Sequence, residues 1–373
     1  MIDGWLEAPL LVCVGPGGVG KTTTAAALAL RAARRGKRAL VLTIDPAKRL
    51  ADALGLDGLD DAIHRTPIDG DKGEGALGAA MLDTKASYDA LIARIASAEQ
   101  QVEILGNRVY AAFSRTLARS HAYIAAERLY DVLASGQWDL VVLDTPPTRS
   151  ALDILDAPSH LSQFLDSRVL RYLLEDRAQG RTPSLATLAN MGSAAALRLL
   201  ERLAGESIVG ELLAFFAVLS SLREGFHERA MAVQARLVDP RTCFVLVASA
   251  SPASLDDAAH LARELSRRGS PLAGVLFNRA YIPEPFVGGP LRPPQGAPPA
   301  DALRAKLRSL RAELYRAQEA TFERALRFSS EVAPGATALA VAEREDDLRS
   351  LDDLDAMLDD VRVLDAAALG IDP

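Results

Sequence analysis

Leu10-Leu11-Val12-Cys13-Val14 runs without a break into Gly15-Pro16-Gly17-Gly18-Val19-Gly20-Lys21-Thr22-Thr23, and the helical run Thr24 to Arg35 follows at once. Five apolar residues closed by a glycine cluster predict a strand buried on both faces. The pattern G-x-x-x-x-G-K-[ST] between a strand and a helix has a physical use. Gly15, Gly17, Gly18 and Gly20 let backbone N–H groups of the loop, that of Val19 among them, close around phosphate oxygens. The helix that opens at Lys21, Thr22 and Thr23 presents its partly positive N-terminus, the Lys21 ammonium reaches the β- and γ-phosphates, and the Thr22 hydroxyl can ligate Mg²⁺.

Two further strands end on acids. Arg38 to Ile44 leads into Asp45-Pro46-Ala47-Lys48-Arg49-Leu50-Ala51-Asp52. A carboxylate there lies on the phosphate side of a doubly wound sheet and can position an attacking water, or it can cap a helix, since Asp before Pro is a favoured start. Trp138 to Asp144 is an apolar strand closed by an acid and followed by Thr145-Pro146-Pro147-Thr148-Arg149. Asp144 can hold the Mg²⁺ shell directly or through water, and the Pro-rich loop after it can sense a γ-phosphate. Thr242 to Ala248, Leu255 to Arg267 and Leu272 to Phe277 form a strand, helix and strand, and Ala336 to Val341 reads as a last short strand. The fold class expected is α/β: a doubly wound, mainly parallel sheet of P-loop NTPase type with a helical insertion.

Composition excludes several alternatives. The 373 residues are 49% hydrophobic and 24% charged, a globular balance with no disordered or fibrous bias. Formal charge is −7, and the basic residues, 36 Arg and 6 Lys, are spread along the chain, so nucleic acid is not an expected partner. Cys13 and Cys243 lie far apart in sequence, each in an apolar run, and make neither a disulfide framework nor a zinc knuckle. The acidic start lacks an export signal, and the longest strongly apolar stretch, Leu212 to Leu219, is far below the roughly 20 residues of a membrane span. A cytoplasmic protein without direct membrane insertion is expected. His64, His121, His160, His227 and His260 show no ligand spacing.

The glycine loop, the Asp45 to Asp52 segment and Asp144-Thr145-Pro146-Pro147-Thr148, in that order, resemble the arsenite-pump ATPase family, which includes the ATPase that targets tail-anchored membrane proteins. The resemblance implies a Mg²⁺-dependent ATPase that works as a nucleotide-gated dimer. It makes Asp45 the water-positioning residue of switch I, Asp144 to Thr148 the metal-linked strand end and switch II, and Asn278, after Leu272 to Phe277, a hydrogen-bond partner of adenine. Lys21 and Asp45 are then the catalytic pair, and Thr22 and Asp144 the metal-linked residues. The chain departs from the family at Pro16, where a lysine usually reaches across the dimer to the other subunit's phosphates, and at Ser150, where arsenite-pump relatives carry histidine. Lys48, Arg149 or a paralogous partner chain would supply the missing charge, or hydrolysis would be slow. The alternative function is an ATP-binding scaffold or chaperone subunit with little turnover, paired with a paralogue.

Apolar residues at spacings of three and four predict helices around Tyr88 to Ile95 and Val109 to Leu117, and again over Asp153 to Leu174 and Ala194 to Leu237. The expected organisation is an ATPase core over 1–157 that includes helices in 86–130, a helical insertion over 158–236, and the rest of the core over 237–373. Ile208 to Leu222 forms a broad apolar surface that is either insertion core or the lining of a groove for an apolar protein client. Over the whole insertion, 158–236, Met191 and Met231 alone supply methionine, which is scarce for a client groove. The Gly/Pro-rich stretch Ile282 to Pro299 is a connector or a flap, and Leu303 to Phe328 is a long charged helix. Eight Asp between 346 and 365, with Leu348, Leu351, Leu354, Leu358 and Val361 at helical spacing, make an acidic amphipathic helix that anionic lipid would repel. Arsenite binds through several thiolates, which two cysteines do not provide. Arsenite is therefore expected not to stimulate hydrolysis, and stimulation in a phosphate-release assay would refute this.

Overall fold

The apolar runs pair into one nine-stranded sheet. Its strands are β1 (Leu10–Val14), β2 (Arg38–Thr43), β3 (His64–Thr66), β4 (Ala76–Met81), β5 (Leu140–Asp144), β6 (Cys243–Ala248), β7 (Leu272–Ala280), β8 (Thr337–Ala342) and β9 (Arg362–Val363). This computed structural model describes residues 2–44, 49–68, 75–82, 92, 96–107, 121–147, 152–153, 223–280, 300–344, 348 and 350–364. The spatial order is β3-β4-β2-β5-β1-β6-β7-β8-β9, parallel throughout except for the antiparallel edge pairs β3 with β4 and β8 with β9. The chain starts at the centre, moves out to one edge, returns as β5 beside β1 and then builds the other half. The carboxyl end of β1, between β5 and β6, is thus a topological switch point, where open α/β sheets place ligands.

Side chains alternate across the sheet and divide the core in two. Leu10, Val12, Val14, Leu40, Leu42, Leu143, Leu246 and Phe277 face one layer of helices. These are α5 (His121–Ala134), α6 (Arg223–Leu237), α7 (Pro252–Arg267) and α8 (Ala300–Val332), following α1 (Ile2–Leu6), α2 (Lys21–Arg34), α3 (Arg49–Leu54) and α4 (Ala98–Leu105) in the chain. Phe277 meets Phe328 of α8 edge to face, with ring centroids 5.9 Å apart. Leu11, Cys13, Val41, Val142, Val245 and Leu276 face the other layer, built from α1, α2, α3 and α9 (Leu351–Asp359). In α2, Ala25, Ala26, Ala27, Ala29 and Ala32 are fully buried, and their small side chains let the helix lie close against the strands.

The expected strands are all present. Leu272 to Phe277 runs on through Asn278 to Ala280, and the edge strands β3 and β9, with β4 next to β3, were not legible from periodicity. Cys13 and Cys243 are not remote in space. They occupy the neighbouring strands β1 and β6 on the same face, two register positions apart, and both are free thiols. Of the helix expected at 88–95 only Ile92 is described, and the helix at 109–117, the 282–299 loop and residues 158–222 of the insertion stretch lie outside the described residues. The last part of that stretch, α6, packs on α5. There the half-buried Arg229 donates to Glu127 and Asp131 at 2.5 Å each and lies 4.2 Å over the Tyr130 ring. Among the described residues no helix is long and apolar enough to cross a membrane.

The acidic tail helix α9 docks on α2. Leu354, Met357 and Leu358 are buried, and Ser350 opens the helix with a reciprocal capping box to Asp353. On the flank, Arg31 donates to both the Asp355 carboxylate and its carbonyl and to Asp359 at 2.7 Å, while Arg34 pairs with Asp355 at 2.8 Å and with Asp352. Burial pushes the Asp355 carboxyl up, but the hydrogen bonds and charges of Arg34 and Arg31 outweigh it and hold the group below its usual value. A carboxyl depressed by folding adds stability above its unfolded pKa of about 4 and loses it as pH falls through the folded value. Asp355→Asn is therefore expected to cost about 1 kcal/mol at pH 7, a figure discounted for the solvent reaching the pair. In urea titrations the gap from the unmodified protein should narrow as pH drops below about 4.

Candidate nucleotide site

The loop between β1 and α2 is shaped by two close approaches. Gly15, at φ 152°, passes so near β6 that a Cβ there would lie 2.0 Å from the Val247 carbonyl oxygen. Gly20, at φ 90°, is the left-handed N-cap of α2, and a Cβ on it would lie 2.3 Å from the Asn278 side-chain nitrogen. No side chain caps α2, and its first turn carries no acid. The amino end of a 14-residue helix is thus left electropositive at the switch point, as an anion site requires.

Lys21 is buried, and its Nζ donates to the Pro16 carbonyl at 2.7 Å, curling the ammonium back over the loop. Thr22 points the opposite way, and its hydroxyl donates to Asp144 Oδ2 at 2.7 Å. The same oxygen accepts from the Thr43 hydroxyl at 2.8 Å. Asp144 is fully buried at the end of β5, and its backbone carbonyl accepts from Ile44 N–H at 3.1 Å, the residue before Asp45. Thr145 donates from its hydroxyl and its N–H to the Cys13 carbonyl, at 2.7 and 3.3 Å, which binds the start of the loop after β5 to the end of β1. Pro147 lies beside Gly17. On the other side of the loop, Asn278 Nδ2 donates to the Val19 carbonyl at 2.9 Å.

The structure thus brings together Gly15, Gly17, Gly18, Val19, Gly20, Lys21, Thr22, Asp144 and Asn278 as the sequence implies, with Thr23 in the first turn of α2. Asp45, Lys48, Thr148, Arg149 and Ser150 lie outside the described residues. Thr43 was missed. Its one signal was a hydroxyl inside the otherwise apolar run Ala39 to Ile44, at the end of the strand that faces the site.

The donor set suits a magnesium nucleotide. A hydroxyl and a carboxylate within hydrogen-bond distance are hard oxygen donors, and the lysine with the uncapped helix end complements phosphate. Soft metal ions find little here. Burial and then the nearby Asp144 charge raise the Cys13 thiol well above its ordinary value, and burial raises Cys243.

A nine-stranded, mainly parallel sheet with this loop at its switch point defines the P-loop NTPase class of fold. The sequence pattern of the anion-transporting ATPase family matches residues 9–288, and the chain belongs to that family. The chain is 32% identical over 289 residues to the uncharacterized protein SCO2128 of Streptomyces coelicolor, covering 75% of this chain and 66% of that one. It is 29% identical over 243 residues to protein Rv2184c of Mycobacterium tuberculosis, covering 61% and 54%. To the ATPase GET3 of Malassezia globosa it is 25% identical over 279 residues, covering 74% and 73%. The matches thus span less than two thirds of the first two relatives.

Two glycines give a contrast that checks the loop geometry. Gly15→Ala drives a Cβ into backbone that cannot yield and is expected to cost about 3 kcal/mol or more. Gly18, at φ 74°, faces open space, and Gly18→Ala should cost about 1–2 kcal/mol, the left-handed penalty alone. Denaturant midpoints of the two variants test the order, and equal midpoints would contradict it.

Proposed function

We propose that the protein binds ATP with Mg²⁺ at this site and hydrolyses it. One observation carries the reading: the Thr22 hydroxyl and the Asp144 carboxylate meet at 2.7 Å beside the buried Lys21 and the uncapped end of α2. Thr22 would hold the metal directly, and Asp144 would hold it directly or through water. A bound magnesium ion would neutralise phosphate charge during transfer. Lys21 exchanges its bond with the Pro16 carbonyl for phosphate oxygens, so the ammonium is already in the loop when substrate arrives. Asp45, directly after Ile44, positions the attacking water. Phosphoryl transfer to water needs little beyond such positioning and charge neutralisation.

The proposal extends to a dimer, of two identical chains or with a paralogue, that closes on ATP and rearranges the 158–236 insertion, where an apolar protein client binds. The similarity to an ATPase named GET3 supports this extension, as does the helical periodicity of the insertion. Motion at the Asp45 and Asp144 to Thr148 segments would reach the insertion by differential affinity for two states.

Lys21→Ala should lower phosphate release from ATP by about a hundredfold or more, and hydrolysis unchanged by it would end the reading. Pro16 favours the second reading, an ATP-binding scaffold with little turnover, because it carries no charge to offer a partner's phosphates. Calorimetric binding of ATP and Mg²⁺ without phosphate release above background would establish that reading instead.

A further inference from the structure

The side chain of Asn278 is buried, and the hydrogen-bonding directions of its amide are fixed. Its Oδ1 accepts from the backbone N–H of Arg279 at 3.0 Å, and its Nδ2 donates to the Val19 carbonyl at 2.9 Å. Turning the amide over would set NH₂ against N–H and oxygen against oxygen, so only one orientation satisfies both neighbours. Two further features conform to this bond. Gly20 leaves the space that a Cβ would take from Nδ2, and Arg279 adopts a left-handed φ of 52° where the pairing of β7 with β8 shifts register between Phe277 and Ala280. A non-glycine residue in that region is strained by about 1–3 kcal/mol and persists only where its surroundings hold it.

From this geometry we propose that Asn278 is a positioning residue for the phosphate loop, fastening Val19-Gly20 to the end of β7 independently of any contact with a base. The consequence follows from the chain path. The Val19 carbonyl belongs to the peptide that leads into Gly20, the N-cap of α2, and the N–H groups that would grip phosphate come next. Holding that carbonyl fixes where those N–H groups point. Preorganised donors bind better than donors that must be ordered on binding. The amide keeps one N–H and one oxygen lone pair beyond these two bonds, so contact with adenine and support of the loop are compatible in one side chain. The inference rests on the reading of this loop as a phosphate site.

Inorganic tripolyphosphate separates the two roles, because it has phosphates and no base. Its binding with Mg²⁺, and that of ATP, would be measured by calorimetry for the unmodified protein, Asn278→Ala and the isosteric Asn278→Asp. Loss of one buried hydrogen bond should weaken tripolyphosphate about fivefold in Asn278→Ala. Asn278→Asp should weaken it more, because a carboxylate oxygen then faces the Val19 carbonyl. In the ligand-free proteins, amide hydrogen exchange over residues 15–22 should quicken in both variants while that over 252–267 stays the same. Tripolyphosphate affinity and loop exchange that both match the unmodified protein, with only ATP binding reduced, would overturn the proposal. Failure of the unmodified protein to bind either ligand would instead refute the nucleotide reading, and the exchange measurement would still decide whether Asn278 holds the loop.

Discussion

Two hydroxyls, from Thr22 and Thr43, converge on one oxygen of a carboxylate that solvent does not reach. Burying a charged carboxylate is costly unless donors surround it, so the positions of β2, β5 and α2 near the site are constrained together by what Asp144 needs. Thr43 ends β2, Asp144 ends β5 and Thr22 lies in the first turn of α2. The three elements that frame the loop therefore meet at one atom. A displacement of Asp144 would be felt by β2 and by the helix that follows the glycines. Thr145, bonded twice to the Cys13 carbonyl, carries the same constraint to β1.

The helix that begins at this atom is held at its other end as well. Arg31 and Arg34, in the last turn of α2, are taken up by Asp352, Asp355 and Asp359 of α9, and basic side chains there also complement the negative end of the helix. The acidic segment thus has an internal partner and covers the sheet face with its leucines. On the opposite face, Arg229 joins α6 to α5, the helix that leads into β5. Both are side-chain clamps that use arginine, whose planar fork can engage two acceptors at once.

Much of this was legible in the sequence because the central strands are buried on both faces and read as unbroken apolar runs. Leu10 to Val14, Leu140 to Asp144 and Cys243 to Ala248 have sharp ends for that reason. The outermost strand β3 and its neighbour β4 gave no such signal. His64–Thr66 is three residues long and polar, and Ala76–Met81 is mostly alanine and glycine, residues that favour no period. The glycine loop, Lys21 and Thr22 stand out by the spacing of one motif, and Asp144 by the acid that closes an apolar strand. Thr43 escaped because a single threonine in a strand is ordinary until the acceptor 101 residues away is known. The bond from Asn278 to Val19 spans 259 residues and has no pattern in sequence at all.

The cysteines illustrate the limit of linear spacing most directly. They lie far apart along the chain, yet the parallel pairing of β1 with β6 sets Cys13 opposite Val245 and Cys243 opposite Leu11, on one face. Nearness does not make them a soft-metal pair. Two thiols alone fall short of the several thiolates a soft ion takes, and burial raises both groups, with the Asp144 charge adding to the effect at Cys13. The carboxylate that would suit the site to a hard cation thus also raises the thiol of Cys13 beside it.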